Sequence, residues 1–84
     1  MVYYVYILYS ELLNKYYIGS SKDIQGRLER HLQNHKGFTA RAKDWRLVYK
    51  EAYVAKLDAL ARERQIKKWK SRKKIEDLIE QGQN

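Results

Sequence analysis

Residues Val2–Tyr9 are all apolar or aromatic, with no glycine, proline or charge among them. Such a run predicts a strand buried on both faces. Ser10–Lys15 reads as a loop with Asn14 as its turn residue. Tyr16–Ser20 reads as a second short strand, close enough to the first to form an antiparallel hairpin. Gly19 in that strand predicts a bulge or a close backbone approach. Asp23 is a good N-cap for a helix through about Asn34. Ile24, Leu28, His31, Leu32 and His35 recur at helical spacing and give that helix one inward stripe. Gly26 costs it up to about 1 kcal/mol against alanine, which implies that something approaches the helix closely there. Lys36 and Gly37 end it.

Beyond that point, Phe38–Lys43 reads as irregular chain or a single helical turn, and Trp45–Tyr49 as a third strand. A long helix is predicted from about Ala55 to Lys70. Ser71 can cap a last helix to about Gln81, with Ile75, Leu78 and Ile79 as its inner stripe and Gly82 as its stop. The order is β-β-α-β-α-α, an α/β chain of the α+β type. No internal repeat, linker or low-complexity segment interrupts it.

Composition narrows the class. The 84 residues make one compact domain, 1–84. A domain this small buries only about 60% of its unfolded surface, so its core is thin. Eight Tyr, two Trp and one Phe suit such a core. With no cysteine there is neither a disulfide framework nor a thiolate zinc site. The absence of cysteine fits a reducing compartment. The N-terminus shows no secretion signal, and its apolar run is too short to span a bilayer. A soluble, unprocessed, cytoplasmic protein is the expectation, with a monomer favoured.

Charge adds the partner. The formal net charge is +8, and within Arg62–Lys74 eight basic residues face Glu63 alone. A positive field of this size suits a polyanion. Nucleic acid is the first candidate, because each neutralised phosphate releases a counterion. An anionic membrane surface is the second, and a solvated helix face is the plainest alternative. In the basic segment, Lys67, Lys68, Lys70, Arg72, Lys73 and Lys74 are the candidate phosphate contacts. Trp69 among them either packs inward or stacks on a base.

A few residues carry candidate chemistry. Arg27 and His31 lie four apart and share a helix face that the chain order places over the hairpin. A guanidinium fork matches phosphate oxygens, and an imidazole accepts a proton near neutral pH. The same two residues also fit a core histidine beside a surface ion pair. Tyr6 and Tyr17 can project to one face of the hairpin and relay a proton from water, or simply pack the core. Glu63 borders the apolar residues Ala59, Leu60 and Ile66 and is otherwise surrounded by Arg62, Arg64, Lys67 and Lys68. It either relieves local repulsion or ligates one Mg²⁺ that keeps most of its waters.

Taken in order, these residues resemble the GIY-YIG nuclease superfamily, in its small stand-alone bacterial members. Tyr4-Val5-Tyr6-Ile7-Leu8 looks like the first motif, and Tyr17-Ile18-Gly19-Ser20-Ser21 is similar to the second. Arg27-Leu28-Glu29-Arg30-His31 resembles the catalytic helix. Thr39 and Leu47–Glu51 resemble the middle segment, and Ala61–Trp69 the metal helix. The resemblance covers nearly the whole chain. Each part is weak alone, but the combination is specific. It implies a three-stranded antiparallel sheet flanked by helices. It also implies hydrolysis of nucleic-acid phosphodiesters with Mg²⁺ or Mn²⁺, with DNA favoured over RNA and repair or recombination as the setting. By that carry-over Tyr6 and Tyr17 belong to the water-activating and hydrogen-bonding set, Arg27 holds the scissile phosphate, His31 assists proton transfer and Glu63 ligates the metal.

Two departures stand out. Tyr4 occupies the place of the first glycine in the family name. The asparagine that nuclease members carry after the glutamate has no counterpart here except Asn84, the last residue. A catalytically inactive nucleic-acid-binding module of the same fold is therefore the alternative reading.

Overall fold

The computed structural model describes residues 2–33 and 42–82. Its elements are β1 (Tyr3–Ser10), β2 (Lys15–Ser21), α1 (Ile24–Gln33), β3 (Arg46–Tyr53), α2 (Lys56–Trp69) and α3 (Arg72–Gly82). The order is the expected β-β-α-β-α-α. The strands form one antiparallel sheet in the order β2-β1-β3, with β1 central. Several expectations lie outside the described residues: Asn34, His35, the helix end at Lys36-Gly37, Thr39 and most of the segment from Phe38.

The central strand is buried on both faces because every residue from Val5 to Leu8 is apolar or aromatic. Their exposure is 1% or less. Alternation along β1 then divides the core in two. Val5 and Ile7 point to one face and pack with Ile18, Ala59 and Ile66 beneath α2 and α3. Tyr6 and Leu8 point to the other and pack with Ala42, Trp45, Tyr17 and the Ile24, Leu28 and Leu32 stripe of α1. Full burial of an aliphatic side chain contributes about 1.5–3 kcal/mol.

The third strand differs most from expectation, while β1, β2 and α3 are displaced by a single residue at their ends. The third strand runs Arg46–Tyr53 rather than Trp45–Tyr49. Trp45 precedes the strand and is buried in the core on the α1 side, at 3% exposure. The added half, Lys50–Tyr53, is too polar to read as a strand. It is held by pairing with β1 through Tyr3↔Tyr53 and Val5↔Glu51. A register shift between Ile7 and Leu8 leaves Val48 as the extra residue of a bulge.

Local signals explain three of the helix ends. Asp23 caps α1, its Oδ1 accepting from the Gly26 backbone N–H at 3.0 Å. This carboxylate is also what approaches Gly26 closely. Ser71 Oγ accepts from the Lys74 N–H at 3.3 Å and caps α3. Lys70 turns the chain between α2 and α3 in the left-handed region, at φ 49°. Among the described residues no helix is long and apolar enough to cross a membrane.

Candidate active site

A hollow of about 680 Å³ opens where the edge strand β2 meets α1 on one side and α2 on the other. Tyr6 comes from β1, Tyr17, Gly19 and Ser20 from β2, Arg27 from α1 and Glu63 from α2. Lys22, Arg30 and Lys56 add further cations to its wall, and Asp23 adds a second carboxylate.

Gly19 makes this assembly possible. It pairs directly with Tyr6 across β1 and β2, and the register runs through it without a shift. The glycine therefore marks a close approach, not a bulge. A Cβ at position 19 would lie 2.6 Å from Tyr6 Oη and 3.2 Å from the Tyr17 ring. With no side chain there, the Tyr6 phenol lies across the strand and reaches the hollow.

Tyr6, Tyr17 and His31 form one aromatic group. The Tyr17 and His31 rings meet edge-on with centroids 4.7 Å apart, and the Tyr6 and Tyr17 centroids are 6.5 Å apart. Tyr6 Oη and His31 Nε2 share a hydrogen bond of 3.1 Å. His31 itself does not line the hollow. It stands behind Tyr6 and connects to the site through the phenol. Burial, helped by Tyr17, pushes the Tyr6 phenol up to about 12, against the pull of the Arg27 guanidinium. Burial and then Arg27 hold the His31 imidazole below its ordinary 6.5. At neutral pH the pair is thus a protonated phenol and a neutral imidazole.

Glu63 faces the hollow with a side chain 18% exposed. Ser20 Oγ donates to its Oε1 at 2.5 Å, and Lys67 Nζ donates to its Oε2 at 2.7 Å. Burial pushes this carboxyl up, but Lys67, Ser20 and Arg27 outweigh burial and hold it below its ordinary value. It is ionised at neutral pH, and an ammonium already rests on its Oε2. Among the described residues no three His, Cys, Asp or Glu side chains cluster as a metal cage. The two carboxylates on the hollow's wall, Asp23 and Glu63, are too few for a zinc cage, whereas a single carboxylate such as Glu63 could hold a hydrated Mg²⁺ or Mn²⁺.

The basic segment is divided by the α2–α3 junction. Lys67 is engaged with Glu63. Arg72, read as a phosphate contact, donates to Asn14 O at 2.7 Å and to Asn14 Oδ1 at 2.5 Å. It also pairs with Glu76 at 3.3 Å and covers the Tyr16 ring at 5.2 Å. Lys73 pairs loosely with Asp77 at 3.8 Å. Lys68, Lys70 and Lys74 are exposed. Trp69 packs against the core, with the Arg62 guanidinium 5.4 Å from its ring centroid, so it takes the inward role.

Four of the five predicted chemistry-bearing residues therefore open onto one hollow, and the fifth touches it through Tyr6. The sequence reading missed Ser20 as the partner of Glu63, and Lys22, Arg30 and Lys56 as wall cations. Alternation from Ile18, which faces α2, already placed Ser20 on the same side of β2. The spacing of Glu63 and Lys67 was likewise visible as an i,i+4 pair.

The sheet order, the strand-borne Tyr-Ile-Gly at the rim and the helix-borne arginine and glutamate are those of a nuclease-type catalytic domain. Residues 2–76 match the model of the GIY-YIG catalytic domain, and the chain belongs to that family. A UPF0213 protein of Staphylococcus epidermidis is 37% identical over 68 residues, spanning 79% of this chain and 80% of the relative. The solution structure of a UPF0213 protein from Bacillus halodurans superposes with a TM-score of 0.59 at 31% identity. That match covers 95% of this chain and 84% of the other.

Proposed function

We propose that this chain is a metal-dependent endonuclease that hydrolyses phosphodiesters in nucleic acid, with DNA as its substrate. The supporting observation is the convergence of Tyr6, Tyr17, Arg27 and Glu63 on one hollow, with His31 bonded to Tyr6. In this reading the Arg27 fork binds the non-bridging oxygens of the scissile phosphate and stabilises charge that develops there. Tyr17 and Ser20 shape the floor and restrict how a water can lie. Tyr6 holds its proton at neutral pH, so it acts as a relay and not as a standing base. As water attacks phosphorus, its proton passes to Tyr6 Oη while the phenol's own proton passes to His31 Nε2. A neutral imidazole is required for that step, and the lowered His31 pKa provides it. Glu63 would hold one Mg²⁺ or Mn²⁺, which when bound would neutralise charge on the phosphate and the leaving oxygen.

The test is cleavage of branched, nicked and single-stranded DNA with Mg²⁺ or Mn²⁺. Activity is expected, and it should be lost in Arg27→Ala and in Glu63→Ala. Cleavage that survives both changes excludes this site. One observation favours the rival reading of a nucleic-acid binder without turnover: Lys67 sits where a metal would approach Glu63. That reading holds if salt-dependent DNA binding is found with no cleavage under any divalent ion.

A further inference from the structure

A second concavity, of about 310 Å³, lies beside the first between the hairpin turn and the α2–α3 junction. Ile18, Ile66 and Ile75 contribute to it, and its charged lining is Lys15, Lys67, Lys70 and Arg72 with no carboxylate. Arg72 is tied to the hairpin through Asn14 and serves as wall. Lys67 is different. It lines this concavity, yet its ammonium rests on Glu63, which lines the first. Its side chain is 50% exposed, so it can turn from one to the other.

Resting on the nuclease reading above, we propose that Lys67 is a cation latch on Glu63, and that a nucleic-acid phosphate draws it into the second concavity. Each Glu63 oxygen accepts one donor, Oε1 from Ser20 and Oε2 from Lys67, and of the two only the ammonium carries a positive charge that opposes an approaching cation. A backbone phosphate beside Lys70 offers the ammonium a doubly charged-assisted partner in place of Glu63. Its departure bares Oε2 at the moment the neighbouring phosphate reaches Arg27. Metal uptake and nucleic-acid binding then favour each other, and the coupling is reciprocal. The second concavity is a phosphate subsite next to the scissile position, and Lys67 is a positioning residue for the metal.

The experiment measures Mn²⁺ binding to the full chain from the electron paramagnetic resonance of the free ion, without nucleic acid. Lys67→Met, and Lys67→Gln as a second variant, should bind Mn²⁺ about tenfold more tightly than the unsubstituted protein. Adding Glu63→Gln to either should abolish that binding. A second arm follows a labelled single-stranded oligonucleotide by fluorescence anisotropy in chelator. Glu63→Gln should tighten it in the unsubstituted background but leave it unchanged in Lys67→Met. Lys70→Gln should weaken the oligonucleotide without altering Mn²⁺ affinity. If Mn²⁺ binds Lys67→Met and the unsubstituted protein equally, and Glu63→Gln abolishes both, the latch is overturned and the metal reading survives. Mn²⁺ binding indifferent to Glu63 overturns that reading and the latch with it.

Discussion

Arg62 and Glu63 are neighbours on α2, yet they belong to two opposite kinds of charge pair. Arg62 reaches inward to Glu51 on β3. Its Nε lies 3.0 Å from Oε1 and its Nη2 3.1 Å from Oε2. Tyr53 donates to the same carboxylate at 2.6 Å, and Tyr49 donates to it as well. A carboxylate offers about four lone-pair sites, and Glu51 has all of them filled. Glu63, at similar burial, accepts from one serine and one lysine. Burial pushes the carboxyl up in both, and in both the donors outweigh it and hold the group ionised. Ionisation therefore does not separate structure from site. What separates them is the remaining capacity to accept a ligand, and the hollow of about 680 Å³ that only Glu63 of the two faces.

The sharpest way to break this comparison is to neutralise each carboxylate in turn. Glu63→Gln should lower cleavage by on the order of 10²–10³-fold. Its effect on unfolding should be smaller, about 0.5–1 kcal/mol, because it weakens one i,i+4 pair with a half-exposed lysine and one serine contact, where Glu51 holds four donors. Glu51→Gln should do the reverse. It leaves the Arg62 fork half-paired and two phenols short of an anion, and should cost about 1–3 kcal/mol. Because the folded Glu51 pKa is depressed, its contribution to stability is present above the ordinary 4.5 and is lost as pH falls below it. The acid limb of the stability curve should therefore flatten in Glu51→Gln. Urea unfolding across pH and a cleavage assay on both variants decide the matter. A Glu63→Gln protein that loses stability and keeps activity would make both pairs structural.

A smaller effect is expected at the glycine that brings Tyr6 to the rim. Gly19→Ala places a methyl 2.6 Å from Tyr6 Oη, and the Tyr6 ring is buried and cannot swing away freely. Overpacking of this kind costs about 1–3 kcal/mol. Because the displaced atom is the one bonded to His31, cleavage should fall by more than the stability loss explains. Thermal unfolding and kcat, measured on one preparation, separate the two. Wild-type activity in this variant would show that the Tyr6–His31 bond is dispensable.

How much of this was legible in the chain depends on the range of the interaction. The central strand was readable because Val2–Tyr9 carries its burial in its own composition. Asp23 and Ser71 were readable because a cap bonds within three residues. Glu63 stood out as a lone acid among bases bordering an apolar face. The far half of β3 was not readable. Glu51 is a charge facing the core, and only its partners on β3 and α2 make that tolerable. Arg72 was read as a phosphate contact because it sits in a basic run. Its bonds to Asn14 cross from α3 to the hairpin turn, and no local pattern announces them. Ser20 required the register of β2 against α2, which alternation suggests and only packing fixes.

The finest distinction concerns which proton acceptor the hollow holds ready. His31 has no carboxylate among the influences on its pKa: burial lowers that pKa first, and the Arg27 guanidinium lowers it further. The direction is opposite to that of a histidine braced by an acid, and it follows from the site being built around a phosphate-binding cation. Removing that cation should let the imidazole titrate higher. In Arg27→Gln the His31 ring protons, followed by NMR against pH, should therefore show an upward shift toward the ordinary 6.5. Arg46→Gln, which changes a surface arginine paired with Glu11, should leave the titration where it was. A downward shift in Arg27→Gln, or none, would mean that the guanidinium and the imidazole do not share an electrostatic environment. Arg27 would then bind phosphate without setting the protonation of the relay behind Tyr6.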